Sequence, residues 1–118
     1  MLPKRARLSK RKEIQAVLKK RQYKGSSPLL SFVACENELT RSRFLVVAKK
    51  KLGSATKRNR LRRVYSEAFS KICRNISKKC DLVVFPGSQS VGLGANEALG
   101  ALSKLLLRKG LLNDSKVS

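Results

Sequence analysis

Apolar and polar positions follow two different periods along this chain, and each period predicts a different kind of element. The clearest is helical. Leu61, Val64, Tyr65, Ala68, Phe69 and Ile72 recur at i, i+3, i+4, i+7, i+8 and i+11, which gathers them on one face and predicts a helix over residues 55–74. A second helix is predicted over residues 95–109, with Ala98, Leu99, Leu102, Leu105 and Leu106 on its apolar face and Gly110 as its stop. Gly100 inside it costs about 1 kcal/mol relative to Ala. Near the N-terminus Ile14, Val17 and Leu18 make a narrower stripe among Lys and Arg, with Ser9 placed to cap that helix. Three other apolar runs, residues 29–35, 44–48 and 81–85, are too short for helices and rich in β-branched and aromatic residues, so they predict strands.

The breaks between these runs set the order of elements. Gly25, Ser26, Ser27 and Pro28 interrupt the chain after the first helix, and Gly53-Ser54 and Pro86-Gly87 close the second and third strand runs. The first two runs are separated only by the polar stretch Glu36-Asn37-Glu38-Leu39-Thr40-Arg41, a spacing that fits an antiparallel pair joined by a loop. A helix lies between runs 44–48 and 81–85, so those two are expected to run parallel in one sheet. The fold class is therefore α+β: a single domain over residues 1–118 in the order helix, strand, strand, helix, strand, helix, with a small mixed sheet and helices packed on it. Residues 1–8 and 113–118 are expected to be flexible. A chain of 118 residues suits one core and not two.

Charge narrows the function. Lys and Arg number 28 against 7 Asp and Glu, a formal charge of +21, so the molecule repels itself unless a polyanion screens it. No apolar run approaches the roughly 18 to 20 residues that span a bilayer, and no secretory leader is visible, so nucleic acid is favoured over a membrane and the location is expected to be cytoplasmic. Cys35, Cys73 and Cys80 are read as reduced thiols, Cys35 as part of the core. The chain has no His, and the Cys73 to Cys80 spacing fits no common zinc site, so no metal-binding role is assigned to them.

Residues 49–63 concentrate this charge: Lys49, Lys50, Lys51, Lys57, Arg58, Arg60, Arg62 and Arg63, with no acid among them. With Leu61 at the centre of the buried face, Asn59, Arg63, Ser66 and Ser70 project away from the core and Arg60 and Arg62 flank them. Guanidinium groups bind phosphates bidentately and stack on bases, and Asn offers both a donor and an acceptor, a mixture suited to structured RNA. The helix N-terminus after Gly53-Ser54 adds its positive dipole end. A merely solvated face would be expected to carry compensating Glu four residues away, and this stretch has none.

The run Lys57-Arg58-Asn59-Arg60-Leu61-Arg62-Arg63, followed by Glu67-Ala68-Phe69, resembles the RNR motif of the protein component of bacterial ribonuclease P. Lys4-Arg5-Ala6-Arg7-Leu8 leading to Glu13, and Lys50-Lys51-Leu52-Gly53-Ser54-Ala55, extend the resemblance to about residues 3–110. It implies a cytoplasmic ribonucleoprotein that removes the 5′ leader of precursor tRNA, with Mg²⁺-dependent hydrolysis performed by the RNA subunit. By that resemblance Lys57, Arg58, Asn59, Arg60, Arg62 and Arg63 dock the RNA subunit. A cleft between the first helix and the sheet, at Arg11, Lys12, Ile14, Leu18, Phe32 and Lys50, meets the leader. Positions 14 and 18 are usually Phe in the family and here are Ile and Leu, which leaves Phe32 and Tyr23 for stacking; Lys49 stands where Ser is common. The family fold also implies a left-handed strand-helix-strand crossover, the reverse of the general preference.

Two other classes compete. A small basic ribosomal protein would share the composition and the α+β order. A DNA-binding protein using residues 55–74 as a recognition helix would need a preceding helix at helix-turn-helix spacing, where this chain has strands, so DNA is not expected as a partner. Catalysis by the polypeptide would need clustered carboxylates or a His, and the sequence offers neither.

Overall fold

A strand that is apolar at nearly every position needs cover on both faces, and the segment Cys80–Pro86 has it. The computed structural model describes residues 6–112, and within it the chain forms α1 (Arg11–Lys20), β1 (Tyr23–Ser26), β2 (Leu30–Glu36), β3 (Arg43–Val46), α2 (Ala55–Ile72), β4 (Cys80–Pro86) and α3 (Ala95–Arg108). The four strands make one mixed sheet in the order β1-β2-β4-β3, with β4 antiparallel to β2 and parallel to β3. The period of two along each strand sends alternate side chains to opposite layers. Leu30, Phe32, Ala34, Phe44, Val46, Leu82 and Val84 enter the larger core under α2 and α3, while Val33, Cys35 and Val83 join Leu8 and Val17 in a smaller core under α1. The result is a single α+β domain with helices on both faces of the sheet.

The parallel pairing of β3 with β4 agrees with the sequence expectation, as do all six apolar positions of α2, each buried. Three expectations are corrected. The strands β2 and β3 do not form a hairpin, because β4 lies between them. Their connection spans two strand spacings, roughly 10 Å, and is pinned to the start of β4: Asn37 N–H donates to Lys79 O (3.0 Å), Asn37 Nδ2 to Asp81 Oδ1 (2.8 Å), and Cys80 N–H to Ser42 Oγ (3.1 Å). The supposed break at Gly25 and Ser26 is strand β1, paired antiparallel with β2. Gly25 is there because it faces Phe32, whose ring would stand only 2.7 Å from a Cβ at that position. Finally, α1 is entered through Lys10, not Ser9, and without a side-chain cap.

Of the stretch 1–8, expected to be flexible, Leu8 is buried, donates its N–H to Phe44 O at 3.0 Å, and follows Arg7 in a short parallel bridge along the outer edge of β3. Residues 1–5 and 113–118 lie outside the described residues. Behind the sheet, Tyr65 on α2 shares a 2.6 Å hydrogen bond with Ser90, whose hydroxyl also donates to Leu29 O, tying the helix to the loop after β4 and to the entry of β2. Burial raises the Tyr65 phenol above its ordinary range.

Candidate nucleic-acid interface

The arginine-rich face depends on how α2 begins. Gly53 adopts φ 129°, a backbone conformation that favours glycine, and Ser54 then caps the helix by accepting the Lys57 N–H at 3.3 Å. The apolar stripe of α2 is consumed by the core, so its opposite face must meet solvent. Asn59, Arg60, Arg62 and Arg63 are all exposed there; Lys57 is exposed at the first turn, and Arg58 is half-buried, its Nε enclosed without a hydrogen-bond partner. Among the described residues, none of Lys57, Arg58, Arg60, Arg62 or Arg63 takes part in an ion pair. Asn59 Oδ1 accepts from Arg62 Nη1 at 2.7 Å, which orients that guanidinium and leaves the Asn59 amide donor for a ligand.

Arg43 shows the opposite arrangement. Its Nε and Nη2 donate to the two oxygens of Asp81 at 2.8 Å each, and Nη1 reaches both oxygens of Glu13 at 3.0 and 3.1 Å. The Asp81 hydrogen bonds, followed by the Asp81 charge and then the Glu13 interactions, raise the guanidinium pKa against the opposing effect of burial. Glu13 therefore joins α1 to β3, and Asp81 joins β3 to β4. Among the described residues no three His, Cys, Asp or Glu side chains gather as a metal site. Asp81 and Glu13, the carboxylates that do converge, meet on a cation already present, Arg43.

Of the expected leader residues, Leu18 and Phe32 border one groove and Ile14 borders another. Phe32 is on the even-numbered face of β2 and belongs mainly to the α2 and α3 core at 1% exposure, although it also lines the Leu18 groove. Ile14 and Leu18 do lie on the α1 side but open toward different grooves. Leu18 borders one with Arg21, Lys24, Lys49, Phe85 and Lys109, while Ile14 borders another that runs toward α2. Arg11 and Lys12 are exposed on the first turn of α1, and Lys50 is exposed in a 3-10 turn, Lys50–Leu52. Lys49, not Lys50, lines the Leu18 groove. The more exposed of the two aromatics lining this groove is Phe85, half-buried on the α1 face of β4, with Lys49 Nζ 5.8 Å from its ring centroid. The run 81–85 predicts a strand without saying which face each residue takes; the alternation of Val83 and Phe85 against Leu82 and Val84 is the signal that could have found Phe85.

Cys80 is buried, and burial pushes its thiol pKa up to about 12; Cys35 is also buried, and Cys73 is half-buried. No helix among the described residues is long and apolar enough to cross a membrane. A three-layer α+β domain with one uncompensated row of arginines is the build of a polyanion-binding subunit.

Comparison with known proteins identifies which one. A family model described as Ribonuclease P matches residues 2–110. The ribonuclease P protein component of Clostridium novyi (strain NT) is 31% identical over 113 residues, covering 95% of this chain and 100% of that protein. In structure, the chain is similar to the RNase P protein of Staphylococcus aureus, with TM-score 0.80, 23% identity and coverage of 92% and 98% of the two chains. The RNase P protein of Thermotoga maritima gives TM-score 0.69 at 27% identity, with coverage of 92% and 96%. The chain belongs to the ribonuclease P protein family. It is thus a component of the ribonuclease P ribonucleoprotein, a tRNA-processing assembly, and a partner of the ribonuclease P RNA. The ribosomal-protein alternative gains no support from these matches.

Proposed function

We propose that this chain docks the catalytic RNA through the exposed face of α2 and holds the 5′ leader of precursor tRNA in the groove between α1 and the sheet. The observation that carries the proposal is the uncompensated set Arg60, Arg62 and Arg63 on a helix whose opposite face is locked into the core. Phosphates of a folded RNA supply the missing counter-charge and release their own counterions on binding. In the leader groove, Phe85 offers a stacking surface, and Arg21, Lys24, Lys49 and Lys109 surround it with positive charge. That combination suits single-stranded RNA, whose bases stack while its backbone follows cations.

Hydrolysis is assigned to the RNA subunit, with Mg²⁺ held by RNA phosphates, since among the described residues no carboxylate cluster gathers to bind it. The protein's share is positional. It lowers the repulsion between two RNAs and fixes the leader relative to the cleavage site. A cytoplasmic location follows from the same reading. Cleavage of precursor tRNA by the cognate RNA subunit at limiting Mg²⁺, with and without the chain, tests it. Stimulation is expected, and none at any protein concentration would refute the proposal.

A further inference from the structure

A second groove, of about 620 Å³, lies between the start of α1 and the exposed face of α2, floored by the edge strand β3. Its two sides differ in character. Ile14 and Leu45 give it apolar walls with the buried Leu8 behind them, whereas Asn59, Arg62 and Arg63 stand along the α2 side, and no acid among the described residues lines it.

An occupant must satisfy both sides. A peptide cannot extend the sheet at Phe44, because that carbonyl already accepts from Leu8 N–H at 3.0 Å. An aliphatic chain would fill the walls but bring no charge to the guanidinium groups. A nucleotide brings both parts, a flat base for the apolar walls and phosphates for the cations, and Asn59 Nδ2 remains to donate to a base acceptor. Arg62 is held in place by Asn59 before any ligand arrives, which reduces the entropy lost on binding.

We infer that this groove receives one unstacked nucleotide of the RNA subunit, its base against Ile14 and Leu45, above the buried Leu8, and its flanking phosphates on Arg62 and Arg63. The inference rests on the RNA-docking function proposed above and adds a base-binding slot to a face otherwise described by charge alone. Such a slot favours loops and bulges over regular helix, since only an unpaired base can be turned into it.

The test uses the full chain with labelled Leu and Ile methyl groups, titrated with ribonucleoside 5′-monophosphates and, separately, with ribose 5-phosphate. Ring-current shifts at Leu8, Ile14 and Leu45 are expected with the nucleotides and not with the sugar phosphate. Equal responses to both probes, shifts confined to Leu18 beside Phe85, or silent methyls because the chain's own first five residues fill the groove would each overturn the inference. In parallel, Ser66→Phe places a ring in the groove, where Ser66 is half-buried. Folded S66F should bind the RNA subunit roughly tenfold more weakly with the wild-type salt slope, and wild-type affinity would count against the slot. If S66F fails to fold, the methyl titration decides. Failure of the wild-type chain to bind the RNA subunit defeats the docking function itself, whereas wild-type binding with silent methyls defeats only the slot.

Discussion

Arg43 and the arginines of α2 are the same side chain put to opposite uses. Arg43 is enclosed by Asp81 and Glu13 and holds three elements together, while Arg60, Arg62 and Arg63 stand exposed with no carboxylate of the described residues paired to them. The difference comes from position. Arg43 falls where α1, β3 and β4 meet and where leaving a charge without a partner would be costly. The α2 arginines lie opposite a stripe of six buried side chains and remain in water. In a chain of charge +21 the few acids are structural resources, and two of the 7 are committed to one arginine.

Breaking the Arg43 corner should have the largest effect on stability. Asp81→Ala removes the bidentate partner of Arg43 and a partner of Asn37, and should cost about 3 kcal/mol in a chemical denaturation curve. RNA affinity of the protein that remains folded should keep its salt slope; an unchanged midpoint would show that the corner is not structural. The opposite pattern is expected for Phe85→Ala, a half-buried groove residue. It should remove about 1 to 3 kcal/mol from leader-dependent binding, read as the affinity difference between precursor and mature tRNA. Ser54→Ala sits between these cases, because the cap supports the helix that presents the arginines. A loss of about 1 kcal/mol of stability is expected by thermal melting.

The smallest effect is chemical. At pH 8 a thiol-alkylating reagent should modify Cys73 in the native chain and leave Cys35 and Cys80 until the protein unfolds, as mass mapping would report. Burial holds the Cys80 thiol neutral to about pH 12 against an ordinary value of 9.0. Its folded pKa is raised, so its contribution to stability is complete below pH 9 and falls as the pH climbs toward 12.

The helices were legible in the sequence because each carries its apolar stripe locally, as the six buried positions of α2 show. Strand pairing was legible only in part: the parallel pair of β3 and β4 follows from the helix between them, whereas the neighbours of β2 are decided between distant segments. Runs 29–35 and 44–48 look like hairpin partners until β4, apolar on both faces, takes the place between them. β1 escaped notice because Gly25 reads locally as a break, whereas its purpose is the Phe32 ring on the next strand. The same limit divided the candidate site. The arginine face follows from helix geometry alone, but the leader groove depends on which side of the sheet each strand residue occupies, and that leaves Phe85 the accessible aromatic while Phe32, though it lines the groove, is taken up by the core.

The most direct test of the account is a salt titration of binding between the cognate RNA subunit and the wild-type chain or the double variant Arg62→Ala/Arg63→Ala. The account predicts near-wild-type stability, within about 0.5 kcal/mol, together with weaker binding. The slope of log K against log salt should shrink by roughly 0.7 to 0.9 for each phosphate that the variant no longer neutralises. A double variant that binds with the wild-type affinity and slope would contradict the claim that this face of α2 docks the RNA.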